Sequence, residues 1–277
     1  MRVILAEMLP LLLLGCQAPE PEPSTCDNSA EPVVAVMTAM SFARAEDGIS
    51  TGFDLDEDTT DEGDSRGCGI GDYTDPEGND GIDNAFARLL PALEATEAMA
   101  VEGLIQAAID SGELLLMFEL RDLDDTENDG CVALSIQEGA GEPLLGTDGA
   151  ILPNQTFSRD PESFTATVTD MEMVDGRLDA GPFTMELPAN ILGVDLLFNI
   201  HTARIRIEPQ EDGSYTGFIA GGTEIDYIIQ ISQEENVDET LATLLESLLT
   251  ITADLGKDCD QISLTIEFEA VPAYFIE

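Results

Sequence analysis

The feature that most constrains this chain is a series of short alternating apolar segments, separated by turn signals, that fills its second half. Residues 163–170, 182–187, 194–207 and 215–220 read as strands. Asp175-Gly176 and Asp212-Gly213 fall between them, and Asp-Gly tolerates the left-handed backbone that tight hairpins require. Further on, Ile262, Leu264, Ile266 and Phe268 alternate with Ser263, Thr265, Glu267 and Glu269, which makes one face of a strand apolar and the other polar. Upstream, 32–42 is a Val-rich apolar run of strand length, and 114–120 and 131–136 form two more, joined by an acidic turn.

Helical spacing is confined to two places. Phe86, Leu89, Leu90 and Leu93 form one stripe; Val101, Leu104, Ile105, Ala108 and Ile109 form the next, with Gly112 as its C-cap and Pro91 dividing the region. Thr223-x-x-Asp226 opens a second pair, carrying Ile225, Ile228 and Ile229, followed by Val237, Leu241, Leu244, Leu245, Leu248 and Leu249. No β-α-β rhythm is visible. These patterns predict an α+β fold, mainly antiparallel sheet arranged as a sandwich, with two pairs of amphipathic helices. Residues 32–277 read as one domain, in which the Asp/Gly-rich stretch 48–84 is a long ordered acidic loop.

Charge decides which partners such a domain can have. The chain carries 57 acids against 10 basic residues, a net charge of −47, yet 43% of it is hydrophobic. That apolar content is too high for a disordered acidic tail. With Lys/Arg so sparse, nucleic acid is excluded as a partner, and anionic lipid headgroups repel the surface. The excess acid reads either as a solvated surface or as oxygen ligands for divalent cations.

At the start of the chain, Arg2 precedes an apolar run from Val3 to Leu14 that ends in Leu13-Leu14-Gly15-Cys16. The run is too short to span a bilayer, which takes roughly 20 residues. These residues resemble a bacterial lipoprotein signal. The resemblance covers residues 1–16 and implies removal of 1–15, acylation of Cys16 and a body tethered outside the cytoplasm. Gln17, rather than Asp, after the cysteine implies the outer membrane. Residues 16–31, with their Pro/Glu-rich stretch at 18–25, read as lipid attachment followed by an extended tether.

With Cys16 acylated, Cys26, Cys68, Cys131 and Cys259 remain, an even number that predicts two disulfides in an oxidising compartment. Three pairings are possible, with Cys68 expected to join Cys131 or Cys259. No C-x-x-C occurs, so zinc-ribbon and thioredoxin-like readings have no support.

The richest concentration of oxygen donors runs from Asp72 to Asn84. Asp75, Glu77, Asn79 and Asp83 stand at positions one, three, five and nine, a spacing that resembles the calcium loops of EF-hands and thrombospondin type 3 repeats. Gly81 comes one place late and Phe86 stands at position twelve, so the loop is not an EF-hand. The alternative is an acidic turn in which Asp83 or Asn84 caps the following helix. Asp54, Asp56 and Asp58 form a second candidate, and Asp122 and Asp124 begin a third; close carboxylates repel, which either Ca2+ or plain solvation relieves.

No sequence pattern names a catalytic group. His201 is the single histidine and falls on the more apolar face of the 194–207 strand, where a packed side chain is the simpler reading. There is no G-x-S-x-G and no phosphate loop with lysine, since Lys257 is the sole lysine. The resulting expectation is a lipid-anchored, calcium-stabilised acidic protein of the outer membrane with a non-enzymatic binding or adhesion role. An exported carboxylate hydrolase and an apolar-ligand carrier are the alternatives.

Overall fold

The fold is that of a computed structural model in which residues 30–94, 100–161, 163–191, 194–234 and 239–276 are described. The elements are β1 (Val33–Phe42), β2 (Ala45–Glu46), β3 (Ile49–Ser50), β4 (Tyr73–Thr74), β5 (Asp80–Ile82), a 3-10 turn (Ala85–Arg88), α1 (Leu90–Glu94) and α2 (Ala100–Ser111). They continue with β6 (Leu116–Arg121), β7 (Asp129–Ala140), β8 (Gln155–Arg159), β9 (Thr165–Val174), β10 (Arg177–Ile191), β11 (Val194–Pro209), β12 (Tyr215–Glu224), α3 (Ile225–Glu234), α4 (Glu239–Thr252) and β13 (Gln261–Ile276). The signal and the tether as far as residue 29, with Cys16 and Cys26, lie outside the described residues, as does Val237.

The main sheet does not split into two layers. β1 pairs with β6 on one edge and with β13 on the other, so the ring β1-β6-β7-β9-β10-β11-β12-β13 closes with every neighbour antiparallel. The expected sandwich is therefore corrected to an eight-stranded barrel with one additional strand, β8. Alternation along a strand specifies one buried face, but it carries no information on whether the first and last strands meet. Twist and tilt of long strands such as β13 settle that.

The inward positions fill the barrel with side chains. Phe118, Leu134, Ile136, Leu178, Ile205, Ile207 and Ile219 are all buried in one continuous core. Phe118 meets Tyr215 edge-on, ring centroids 5.3 Å apart, and leans on Phe268 at 6.3 Å. Gly217 makes room for this cluster, since a Cβ there would stand 2.7 Å from Cζ of Phe268.

β8 pairs antiparallel with the end of β7 and parallel with the end of β13. It thereby closes a second, smaller circuit on the outer side of β1, β6 and β7. This explains why Ala35–Met37 in β1 and Leu116–Leu120 in β6 are buried residue after residue, one face in the barrel and one beneath the cover, where Glu119 meets Arg159 of β8. α2 touches β1 and β10, which stand on opposite sides of the ring, so it lies across one mouth. Past Val36, β1 has no partner in β6, and α2 satisfies that open edge: Glu102 accepts the Phe42 N–H at 2.9 Å and Gln106 donates to the Thr38 carbonyl at 2.9 Å.

Two bulges alter the phase read from sequence. β10 starts earlier than expected because Pro182 sits at a break in its ladder, between Ala180 and Phe183, where no donor is needed. β11 carries a bulge between His201 and Arg204, with Thr202 at φ 47°. Ile200 and Ala203 both point inward, and His201 does not share the face of Ala203 and Ile205 as the unbroken alternation predicted. His201 instead faces Glu224, Nε2 to carboxylate 3.6 Å.

Cys68 is bridged to Cys259, one of the two partners expected for it, which ties the acidic loop to the turn between α4 and β13 across a separation of 191 residues. Cys131 is disulfide-bonded as well.

Candidate functional site

The stretch 48–84 packs on the outer wall of β11, β12 and β13, held by β2–β5 and by isolated contacts with the barrel. Phe53 packs at a tilt against Phe218 with centroids 4.9 Å apart, and the Arg206 guanidinium lies over both rings. Phe53 also exchanges a backbone bridge with Asp83, whose N–H donates to the Phe53 carbonyl at 3.0 Å. Beyond it, the Ala85 N–H donates to Oγ of Ser263, and that hydroxyl in turn donates to the buried carboxylate of Asp254.

This packing brings Asp54, Asp56 and Asp83 together. One carboxylate oxygen from each lies within 4.8 Å of the others, the one such group among the described residues. Asp83 is 3% exposed and accepts the Leu55 N–H at 2.7 Å. Asp54 contributes a buried Oδ1 that accepts no hydrogen bond. Asp56 stands at the exposed rim and accepts the Asp58 N–H at 2.9 Å. Gly81, at φ +88°, lets β5 pass close by: a Cβ there would lie 3.3 Å from Oδ2 of Asp54.

The electrostatics follow from burial. Desolvation pushes the Asp83 carboxyl up to about 8, against the Leu55 hydrogen bond that lowers it, and Asp254, Asp56 and Asp72 push it further up. Asp254 is raised to about 6, again by burial first, with Ser263 hydrogen bonds opposing. Burial also raises Asp54 and Asp72. The positive charge that acts on Asp54 is Arg204, which lowers it a little and whose buried Nε lacks a hydrogen-bond partner. Three oxygens within 4.8 Å of one another match the span of a Ca2+ shell, in which each oxygen sits roughly 2.3–2.6 Å from the ion. The orphaned Asp54 oxygen fits the same reading, with carbonyls or water needed to complete six to eight ligands.

The other sequence candidates are placed differently. Asp75, Glu77 and Asn79 do not converge with Asp83. Asp75 closes its own turn, accepting from the Glu77 and Asn79 N–H groups and from Nδ2 of Asn79 at 2.7 Å. Burial would raise it, but these bonds outweigh burial and hold it below the usual carboxylate range. Glu77 points away to Arg177 and Arg206. Asp72 accepts from Thr60, Asp58 pairs with Arg66, and Asn84 donates to Ser50 and Ala43 from a buried position, making no cap with its side chain. Asp124 lies in a separate turn organised by Asp129, and Asp122 precedes it at φ 64°. Asp254 was not among the sequence candidates, and Ser263, read only as part of a polar strand face, is buried beside it; the available signal was an acid flanked by the apolar Ala253 and Leu255, just past a helix end.

Beside the loop, a groove of about 640 Å3 opens over β1, β13, β12 and β11, walled by α2 and by Asp75–Glu77. Glu267 and Glu269 stand on its floor, and Glu102 and Glu208 line it, with Arg206 the one basic residue. Arg206 is already held by Asp179 and Glu77. The carboxyls of Asp54, Asp72, Asp83 and Asp254, all raised by burial, do not line this groove.

No protein-family model matches the chain, and no curated protein or solved structure is detectably similar to it. Among the described residues, no helix is long and apolar enough to cross a membrane.

Proposed function

We propose that this chain is a lipid-anchored, extracytoplasmic β-barrel binding protein of the outer membrane whose acidic loop is ordered by Ca2+ held between Asp54, Asp56 and Asp83. The observation that carries the metal reading is the meeting, within 4.8 Å, of a nearly inaccessible carboxylate, Asp83, with Asp54, which carries an unpartnered buried oxygen. Uncompensated carboxylates in such a place cost free energy that a divalent cation relieves.

The anchor rests on Leu13-Leu14-Gly15-Cys16 and the Pro/Glu tether, and export is supported by the oxidised Cys68–Cys259 pair. The groove over β13 is the binding surface in this reading, and its carboxylates favour a cationic partner. The packed interior of the barrel weighs against the carrier alternative. In the hydrolase alternative, raised carboxylates would have to face the groove, and Asp54, Asp72, Asp83 and Asp254 do not line it.

Thermal melting tests the metal. Ca2+ at a hundred times its dissociation constant stabilises the folded state by about 2.7 kcal/mol. The melting temperature rises with CaCl2 and does so less with NaCl of equal ionic strength. Equal shifts with the two salts would reduce the acids to a solvated surface.

A further inference from the structure

We propose that the barrel docks on its membrane through one acid-poor, apolar corner of its wall, built from the 144–152 hairpin and the C-terminal end of β13. Five of the eight exposed large hydrophobic side chains among the described residues lie there: Leu144, Leu145, Leu152, Tyr274 and Ile276. Backbone pairing places the segments that carry them side by side. The Leu152 N–H donates to the Leu144 carbonyl at 3.0 Å, the Asn154 N–H donates to the Pro272 carbonyl at 2.6 Å, and β8 runs alongside β13 from Gln155/Ala273 to Ser158/Ile276. The corner is also poor in charge. In a chain with 57 acids among 277 residues, 143–158 contains only Asp148 and 270–276 contains none, with Glu142, Arg159, Glu269 and Glu277 at the borders.

The occupant follows from where the chain enters the fold. β1 starts at Val33, and Val34 lies opposite Ala273, next to Tyr274. The tether that leads to Cys16 therefore joins the barrel beside this corner. The opposite end of β13, where Ile262 packs with Leu249 and Ala253 of the α4 region, is about 40 Å away along the strand. A tethered surface needs little intrinsic affinity, because the anchor already supplies a high local concentration of bilayer. Most of the protein surface is repelled by headgroup charge, so contact through the acid-poor corner is the least costly orientation. Exposed apolar side chains gathered on neighbouring segments are otherwise a liability in a soluble body.

This docking rests on the anchoring reading, and one experiment separates the two. The chain contains no tryptophan, so Leu152→Trp is a unique fluorescent reporter and Ile251→Trp, on α4, is its control. Each full-length protein is extracted from membranes and reconstituted on phosphatidylcholine vesicles carrying brominated acyl chains. Flotation reports anchoring, and quenching reports the docked face. The expected result is co-flotation of both variants, with the indole of Leu152→Trp quenched at least about twofold more than that of Ile251→Trp, as bromine quenches at contact range. Co-flotation with equal emission, bright or quenched, would overturn the docking while leaving the anchor. Failure to float would remove the anchor and the docking together. Leu144→Trp, at the most exposed position of the corner, is the second reporter should Leu152→Trp lower the melting point.

Discussion

Asp83 accepts the backbone N–H of Leu55 at 2.7 Å while its own N–H donates to the Phe53 carbonyl at 3.0 Å, so one residue at the end of β5 clamps the stretch that carries Asp54 and Asp56. The clamp buries a carboxyl that burial pushes up to about 8. Folding thus raises this group from an unfolded value near 3.8.

The first prediction is a pH dependence of stability in the absence of Ca2+. Between roughly pH 4 and pH 8 the folded protein holds a proton at Asp83 that the unfolded chain has released, so the contribution of this group is greatest at the acid end and falls as pH rises, by at most about 1.4 kcal/mol per unit. Asp254, raised to about 6, adds to the slope in its lower part. Asp83→Asn keeps an acceptor for Leu55 and removes the titration. Denaturant melts at pH 5 and pH 8 should show a drop for the wild type and a smaller one for Asp83→Asn. A wild type that gains stability over that interval would contradict the assignment.

Much of this architecture was legible in the residues, and its limits have identifiable causes. Alternation located β9 to β13, although Ser263 and Thr265, expected on the polar face of β13, are buried where the 48–85 stretch packs on it, and Gly112, at φ +82°, ends α2 as expected. Closure was not legible, because the pairing of Val36 with Val271 joins residues 235 positions apart and leaves no local trace. β8 was missed for the same reason: five residues whose role is set by β7 and β13. The bulge at Thr202 cost the face of His201. In the loop, spacing grouped Asp75, Glu77, Asn79 and Asp83, whereas a two-stranded turn sends Glu77 to Arg177 and folds Asp83 back onto Asp54 and Asp56.

The second prediction concerns the thiols. Cys68 and Cys259 form one bridge and Cys131 is oxidised too. With Cys16 acylated, Cys26 is the one thiol left for Cys131. Peptide mapping without reduction should therefore recover Cys68 linked to Cys259 and Cys26 linked to Cys131. Replacing Cys68 and Cys259 by Ser should cost roughly 2–4 kcal/mol in denaturant melts. Recovery of Cys26 as a free thiol would break the scheme.

A third prediction tests the barrel core. Phe118 is fully buried on β6, at the centre of the contact with Tyr215 and Phe268. Phe118→Ala should destabilise the protein by about 3–5 kcal/mol, since the surrounding strands are tied to both neighbours and cannot collapse into the space. A loss below about 1 kcal/mol would mean that the ring does not pack as described.

The most direct measurement is equilibrium dialysis of the wild type, Asp54→Asn and Asp83→Asn against radioactive Ca2+ at pH 8, in moderate salt so that diffuse surface binding is screened. The account predicts one ion held by the wild type and affinity at least about tenfold weaker in both variants, whose melting points without Ca2+ remain close to or above that of the wild type. Calcium binding that is unchanged by both substitutions would contradict the assignment of Asp54, Asp56 and Asp83 as the metal centre.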